Sequence, residues 1–332
     1  MAIDTSEIIW KKVDQDSDLT TNGGRITHVV SPDATANNDL PDVPQSELTS
    51  GVTRYRKRFI KIANDADLTA QNTKIYMRKH TPADDALMFF PGTQRDTQAS
   101  IVGTERLYGC GQLGVDASAG ATTLYVNTEG VAFNYFRDGD KIIISNKGSI
   151  LSPGDREECT ITGAPTYGGD QATITITAPL VNSYLASNTI VSSVYEAGNI
   201  AASADNYLET SASGTYDEVT YPVVVDHIGT VEQTWTVTFT SATAFNVVGD
   251  TLGSAGSGTT AGDFAPVNTN ESSKPFFTLL AAGWGGTWAI SDTFVFQTHP
   301  CAVPIWYKQV VPAACAAFTS NLPYTAVMLQ SA

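Results

Sequence analysis

Apolar and polar residues alternate with a period of two along much of this chain. The clearest case is TWTVTFT (Thr234–Thr240), in which Trp235, Val237 and Phe239 face one way and four threonines face the other. The segment TITIT (Thr173–Thr177) repeats the pattern. Because successive side chains of a strand point to opposite faces, both segments are predicted to be half-buried β-strands.

Other strands are predicted from short apolar runs that lie between turn signals. KIIIS (Lys141–Ser145) is continuously apolar in its centre, which is typical of a strand buried on both faces. Pro222 places YPVVVD at a sheet edge or at the start of a strand, because proline cannot donate to a ladder. The remaining strand candidates are TLYVN, TFVFQT and IWYKQVV. Turns such as NGG, RDGD, YGGD and GWGG separate the runs.

Helical signal is sparse. PDVPQSELTSG predicts one short turn of helix, with Pro44 near its start and Gly51 beyond its end. Two further helix candidates are PADDALMFF and EAGNIAASADNYLE, the second interrupted by a glycine. We therefore expect an all-β protein, built from several small β-sandwich or barrel domains with short helical decorations.

Shifts in composition divide the chain into three predicted domains. Residues 1–104 are the most highly charged and predict an N-terminal charged β domain with extended segments. Residues 105–196 predict a small inserted β-barrel or sandwich, and residues 197–332 a C-terminal β-sandwich. Within the last domain, residues 249–263 (GDTLGSAGSGTTAGD) form a Gly/Ser-rich loop in this interpretation. That loop is either a flexible connection or an extended arm that lies on a neighbouring subunit.

One segment, GVTRYRKRFIKIAND (Gly51–Asp65), is unusually basic. Five of the 19 Lys and Arg residues fall within eight positions, and we take them as interface candidates: Arg54, Arg56, Lys57, Arg58 and Lys61. As a strand, the segment mixes arginine with isoleucine on one face and aromatic residues with lysine on the other, so neither face is clean.

Two interpretations of this basic segment are open. Either the arginines lie in solvent with their stems over apolar surface, or the segment is clamped between acidic surfaces, some of them on other copies of the chain. Under the second interpretation, replacing Arg56 and Arg58 with Glu is expected to block assembly and to leave the isolated fold soluble.

The charge balance limits the partners that the protein can have. The 332 residues include 19 Lys and Arg against 34 Asp and Glu, a formal net charge of −15. Phosphate contacts need clustered exposed cations, so we expect no nucleic acid and no anionic membrane as partner, but proteins with local basic patches. The start MAIDTSEIIWKKVDQD has no apolar h-region, and FFTLLAAGW is too short to cross a bilayer. We therefore expect a cytosol-like compartment.

No catalytic or metal-binding pattern is evident, so we assign no catalytic residue, no metal ligand and no cofactor. HPC (His299–Cys301) brings one imidazole near one thiol, but no second pair with ligand spacing accompanies it. DQDSD (Asp14–Asp18) begins like a calcium loop, yet Leu19 and Arg25 stand where that loop needs Gly and Glu. A solvated acidic turn and a looser calcium site both remain open. The four cysteines are widely spaced and predicted to be reduced thiols.

The tryptophans suggest a different kind of site. Trp284 and Trp288, in GWGGTWA, are placed on a turn and are predicted to be exposed, so we add them to the interface candidates. Together with Trp235 and Trp306 they could form a sugar-stacking platform, although the alternation around Trp235 indicates a core position. A carbohydrate-binding or carbohydrate-acting β protein is therefore an alternative from another class.

Three short elements are the most distinctive of the chain: Asn22-Gly23-Gly24-Arg25, the segment Tyr55–Phe59, and the turn Pro304-Ile305-Trp306. The regions around them, Asp18–Asp65 and Gly229–Ala313, resemble structural proteins of tailed bacteriophages, in particular tail and baseplate-associated virion proteins of contractile-tailed phages. The middle block looks like the small β modules often inserted in such proteins.

This resemblance implies a non-enzymatic protein that works by assembly, with many copies in a ring or sleeve around the tail axis. Its expected partners are copies of itself and the tube, sheath and baseplate proteins, which it would join in the manner of a ripcord component. Assembly in the host cytoplasm and a final place in the tail of the virion follow from it. A capsid decoration or a head–tail connector is the alternative within the same class.

Overall fold

The computed structural model describes residues 2–33, 35, 37–129, 133–149, 152–318 and 323–331. Strands dominate these residues and helix is rare, so the predicted all-β class is confirmed. The sheets are built from antiparallel ladders. No helix among the described residues is long and apolar enough to cross a bilayer.

The strands are numbered in chain order. In the first part of the chain they are β1 (Ile8–Gln15), β2 (Gly23–Val30), β3 (Val52–Ile62), β4 (Ala70–Lys79), β5 (Ala86–Pro91), β6 (Cys110–Leu113), β7 (Thr123–Asn127), β8 (Lys141–Ser145), β9 (Arg156–Thr160), β10 (Thr166–Gly168), β11 (Gln171–Thr175) and β12 (Ile190–Ser193). In the second part they are β13 (Tyr195–Ile200), β14 (Ser203–Thr210), β15 (Thr215–Tyr216), β16 (Gln233–Phe239), β17 (Ala244–Gly249), β18 (Gly253–Thr259), β19 (Val267–Asn268), β20 (Lys274–Pro275), β21 (Trp284–Gly285), β22 (Thr293–His299), β23 (Ala302–Val311) and β24 (Tyr324–Ser331).

The helical elements are short. The helix α1 spans Gln45–Ser50, and single 3₁₀ turns span Thr5–Glu7, Gln98–Ser100 and Ala281–Gly283. The helix α1 confirms the prediction from PDVPQSELTSG: Pro44 stands at its N-cap, and Gly51 ends it with a positive φ of 76°.

The first sheet has the strand order β2-β1-β3-β23-β5 and places the basic strand β3 at its centre. The ladder between β3 and β23 runs over ten residue pairs, from Lys61–Ala302 to Val52–Val311. A three-stranded sheet, β13-β4-β24, contributes to the same apolar core. Among the buried residues of that core are Ile60, Ile62, Ile75, Met77, Phe89 and Ile305.

The second sheet has the order β10-β11-β7-β6-β12-β8-β9 and comes from the middle of the chain. One bridge, Ile161–Ile176, joins the residue after β9 to the residue after β11, and a backbone hydrogen bond lies on either side of it. The described residues form no closed barrel. KIIIS is β8, with three consecutive buried isoleucines as predicted.

The third sheet, β14-β22-β16-β17-β18, covers an aromatic core. TWTVTFT forms β16 as predicted, with Trp235, Val237 and Phe239 fully buried. The Gly/Ser-rich segment 249–263 was predicted to be a loop, but its centre is the strand β18, which pairs with β17 along one edge of this sheet. Glycine and serine are compatible with β18 because backbone pairing with β17, and not side-chain packing, holds this strand in place.

Three local predictions were wrong. PADDALMFF is not helical, because the buried run Ala86–Phe90 pairs with β23. EAGNIAASADNYLE forms the strands β13 and β14 instead of a helix. YPVVVD forms no named strand and contributes one isolated bridge, Val224–Thr278.

The three predicted domains stay a prediction, but the sheets show where chain segments cross between them. The strand β23, placed by sequence in the block 197–332, lies beside β3 in the first sheet. The strand β24 likewise pairs with β4. Both follow the third sheet in sequence and return to the N-terminal part, a long-range pairing that local patterning does not reveal.

Candidate functional site: the buried basic strand

The basic strand β3 is covered on both faces, and its charged side chains are buried. Its neighbours in the sheet are β23, which pairs with residues 52–61, and β1, which pairs with residues 59–62. All five basic interface candidates are less than 9% exposed, and Arg58 and Lys57 are at 0%. Charges at such positions persist only where opposite charges and hydrogen bonds compensate their desolvation.

The arginine face is neutralised by carboxylates of the same chain. Arg58 binds Asp16 through two parallel contacts of 3.0 and 3.1 Å, and its Nε donates to Asp39 at 2.5 Å. Arg56 lies 2.6 Å from a carboxylate oxygen of Asp18. These paired contacts use the planar fork of the guanidinium, which holds its partners in one geometry.

The third arginine is bound to the segment around α1. Arg54 pairs with Glu47 of that helix and donates to the backbone carbonyls of Pro41 and Asp42. Because the residues before and within α1 supply these acceptors, the short helix is fastened to the central strand by charge.

The lysine face has the same character. The Nζ of Lys57 lies 2.6 Å from Asp96 Oδ1 and donates to the Gly24 carbonyl at 2.6 Å. It also lies 4.9 Å from the centre of the Phe59 ring. Burial lowers the pKa of Lys57, and the hydrogen bond to Asp96 opposes that shift.

Lys61 connects the first sheet to the third part of the chain. Its Nζ lies 3.3 Å from Glu271 Oε1 and donates to the carbonyl of Ile228. Lys11 of β1 lies 3.0 Å from the same Glu271 oxygen. Burial lowers the pKa of Lys61, and Glu271 opposes the shift. Lys11 and Lys61, from neighbouring strands of the first sheet, thus share the carboxylate of Glu271.

These contacts overturn the first interpretation of the basic segment and bear out part of the second, because acidic side chains clamp the strand. The arginines do not lie in solvent, and the carboxylates that bind them belong to this chain. An interface role for the five residues between chains stays a prediction, and the structure gives them a different task inside one chain. The expected result for Arg56→Glu with Arg58→Glu changes accordingly, because the new carboxylates would face Asp16 and Asp18 in a buried place.

The acidic turn DQDSD is the partner of the basic strand. Asp16 and Asp18 bind Arg56 and Arg58, and Asp14 accepts a hydrogen bond from the backbone N–H of Arg25 at 3.1 Å. Asp14, Asp16 and Asp18 are nevertheless exposed, so the turn is a solvated surface feature as well as the partner of the basic strand, and a looser calcium site stays a prediction. Across the described residues, no group of three or more His, Cys, Asp or Glu side chains is arranged to hold a metal ion.

The three elements that carry the sequence resemblance meet at this strand. Asn22 donates from its side chain to the Tyr55 carbonyl at 2.8 Å, and Trp306 pairs with Lys57 across the ladder. Gly23 has a φ of 114°, and a Cβ there would lie 2.8 Å from the Trp306 ring. Glycine is therefore required at this position by both the backbone conformation and the close approach.

The sequence predicted that Trp284 and Trp288 are exposed, and this prediction was wrong. Both side chains belong to the aromatic core of the third sheet. Trp288 is buried and stacks on Phe239 with 4.2 Å between ring centres. Trp284 is half-buried and lies edge-on to Tyr216. Trp235 and Trp306 are fully buried. Because three of these rings are buried and the fourth is half-buried, these four side chains form no sugar-stacking platform.

A second charged cluster lies where the first and third sheets meet. Arg95 binds Glu232 at 2.5 Å, and Arg25 pairs with Asp250 of the β17–β18 turn. The ring of His299 lies between Glu232, at 2.7 Å, and Asp205, at 3.0 Å. The hydrogen bond to Glu232 raises the pKa of His299 to about 9, so the imidazole is a cation at neutral pH.

His299 and Cys301 do not form a reactive pair. The His299 ring is fully engaged with its two carboxylates, and the thiol of Cys301 is directed at the Ile200 carbonyl at 3.6 Å. Burial raises the pKa of Cys301 to about 12, which keeps it protonated. All four cysteines are free thiols.

A partly buried acid, Glu129, lies near the contact of the first and second sheets. Burial raises the pKa of Glu129 to about 8, and the neighbouring Asp85 adds to the shift. Asp85 is itself buried and accepts a hydrogen bond from the Gln309 side chain of β23 at 2.7 Å. Neither the sequence pattern nor the spacing of these residues indicated that they meet.

Charges are distributed unevenly between the interior and the surface. Six of the 19 Lys and Arg residues are buried, but only two of the 34 Asp and Glu residues, Asp85 and Glu232, are. The exposed surface is therefore even more acidic than the net charge suggests. Two pockets, one beside Tyr76 and Ile143 and one beside Arg54 and Tyr55, measure about 10 and 130 Å³, below the several hundred Å³ of usual small-molecule sites.

No protein-family model matches the chain, and no curated protein matches it either.

Proposed function

We propose that this protein is a structural, non-enzymatic subunit of a tailed-phage virion, which joins tail tube, sheath and baseplate by symmetric assembly. The observation that carries the proposal is that the three segments of the resemblance converge on one buried charge network. Within the chain, these segments hold the strands of the first sheet in a fixed arrangement.

Ion pairs between the first sheet and the third part of the chain suit a subunit that transmits force. Lys11 and Lys61 tie the first sheet to Glu271, and Arg25 and Arg95 tie it to Asp250 and Glu232. Ion pairs with paired hydrogen bonds fix orientation as well as contact, because displacement exposes a desolvated charge. The joints between the sheets therefore resist sliding.

The surface supports partners of a particular kind. Because six of its 19 Lys and Arg residues are buried, the chain presents mainly acidic side chains to its neighbours, which favours proteins with basic patches. Tube, sheath and baseplate proteins with such patches are the partners that we propose, and the virion tail is the proposed location.

The proposal is tested by finding the chain in particles. Particles produced by cells that carry this gene are purified through two density gradients, and their proteins are quantified by mass spectrometry. We expect the chain in a fixed ratio to the tube and sheath proteins. Its absence from the particles, with normal abundance in the lysate, would overturn the proposal.

The same particles separate the alternatives within the virion class. Removal of the tails by shear is expected to remove the chain together with the sheath. Retention on the tail-free heads would assign it to a capsid decoration or to a head–tail connector.

A further inference from the structure

Most of the outer face of the third sheet is exposed or partly exposed and carries no charged side chain. We define the neutral face by six residues that point away from the aromatic core: Leu208, Thr236, Thr238, Asn246, Val248 and Val295. Cross-strand pairing aligns Leu208 with Val295, Val295 with Thr236, and Thr236 with Val248. An apolar row with one threonine thus runs across four strands.

This face is open to solvent. Leu208 is 59% exposed and Val248 46% exposed. The edge strand β18 beside Val248 reads GSAGSGT and carries no charge or proline, two devices that commonly protect an edge from pairing.

The neutrality of the face is unusual on this molecule. The charged residues near it, Arg25, Arg95, Asp205, Asp250 and His299, lie together at one end and are paired with one another or with Glu232. Elsewhere the surface is strongly acidic, since acidic residues outnumber basic ones and few of them are buried.

We propose that the neutral face is the surface on which a second copy of this chain docks, sheet against sheet. The inference rests on the proposed function, for which it names the contact between copies. Two copies with a formal charge of −15 each repel through most of their surface, and this face lets them meet without like charges opposed. A basic partner is drawn to the acidic surface instead and gains nothing from a neutral face.

The size of the face sets the expected strength of the contact. Five strands about 4.8 Å apart and about 23 Å long give a face of about 500 Å². Stable pairs of standard size bury about 800 Å² on each partner, so an isolated pair should be weak. Within a closed ring, several such contacts act together.

The test is sedimentation velocity of the full chain over a concentration series from about 1 µM to about 1 mM, the range in which weak pairs associate. The variant Leu208→Glu with Val248→Glu adds two carboxylates to each copy within the contact. The matched control is Val181→Glu with Val219→Glu, since those valines are 79% and 86% exposed and lie outside the neutral face. Circular dichroism melts establish that each variant folds. If the double variant does not fold, the single variant Val248→Lys takes its place in the sedimentation experiment.

We expect the wild type and the control to dimerise equally and the face variant to associate at least about tenfold more weakly. A wild type that stays monomeric throughout, or a face variant that associates as well as the control, overturns the inference. Neither result overturns the proposed function, which the particle experiment tests separately. A chain that is found in tails but does not associate through the neutral face would contact its neighbours through another surface.

Discussion

Removal of both carboxylates from Arg58 tests whether the buried basic strand depends on acids of its own chain. Arg58 has no exposed surface, whereas Asp16 and Asp39 remain 25% and 42% exposed. The perturbation is Asp16→Asn, Asp39→Asn and the double variant. Each single change leaves the guanidinium one carboxylate and one amide oxygen, but the double change leaves a desolvated cation without any counter-charge.

The magnitudes follow from this asymmetry. A lost charge-assisted hydrogen bond to a partly exposed carboxylate should lower the free energy of unfolding by about 1 kcal/mol in each single variant. Stranding a buried charge costs about 3–5 kcal/mol, so the double variant should exceed the sum of the singles by at least about 1 kcal/mol. Arg58→Met should cost less than the double variant, because the two aspartates can take up water.

The assay is urea-induced unfolding followed by circular dichroism at neutral pH and low salt. Asp65→Asn is the control, because the Asp65–Lys274 pair is solvent-exposed and should contribute little to stability. A double variant that costs no more than the two single variants together would refute the reasoning, since Arg58 would then not depend on these two acids.

Three further predictions concern the charged and aromatic interior. Because the pKa of His299 is raised from 6.5 to about 9, its stabilising effect should be complete below about pH 6.5 and lost as the pH rises through 9. In thermal melts, His299→Gln should therefore lower the free energy of unfolding by about 1–2 kcal/mol at pH 6, a figure already reduced for solvent screening, and should not change it at pH 10. Equal losses of stability at both pH values would contradict the account. Because burial raises the pKa of Glu129 to about 8, ionisation opposes folding at alkaline pH. Glu129→Gln should raise the melting temperature at pH 9 and leave it nearly unchanged at pH 4.5, whereas a loss at pH 9 would show that the carboxylate is stabilising. Trp288→Ala should cost about 3–5 kcal/mol in urea unfolding, and a loss below about 1 kcal/mol would place that ring outside the core.

Elements with a clean period were predictable from the sequence. The segment TWTVTFT became β16 because three large side chains fill an aromatic core and four threonines do not compete for it. PDVPQSELTSG became α1 because both of its end signals are local. PADDALMFF failed because β23, more than 200 positions away, pairs with it, and apolar content alone does not distinguish a buried strand from a helix.

The candidate site was predictable in its parts but not in its arrangement. The sequence showed an acidic turn, a basic strand and a glycine-rich turn as separate oddities. Their meaning depends on distance: Asp16 lies 42 positions from Arg58 in sequence and 3.0 Å from it in space. The mixed faces of the basic segment were informative, because a strand that carries charges on both faces needs a counter-charge on both sides. The sequence pattern does not reveal whether that counter-charge comes from the same chain.

The measurement that tests the central claim most directly is the position of the chain in an imaged particle. A small folded tag can be fused through a flexible linker after Ala332 and located by electron cryomicroscopy with imposed tail symmetry. A structural subunit of the tail predicts extra density repeated around the tail axis, at a fixed distance from the baseplate. Particles of normal tail structure with no such density, made in cells that express the tagged chain, would contradict the account.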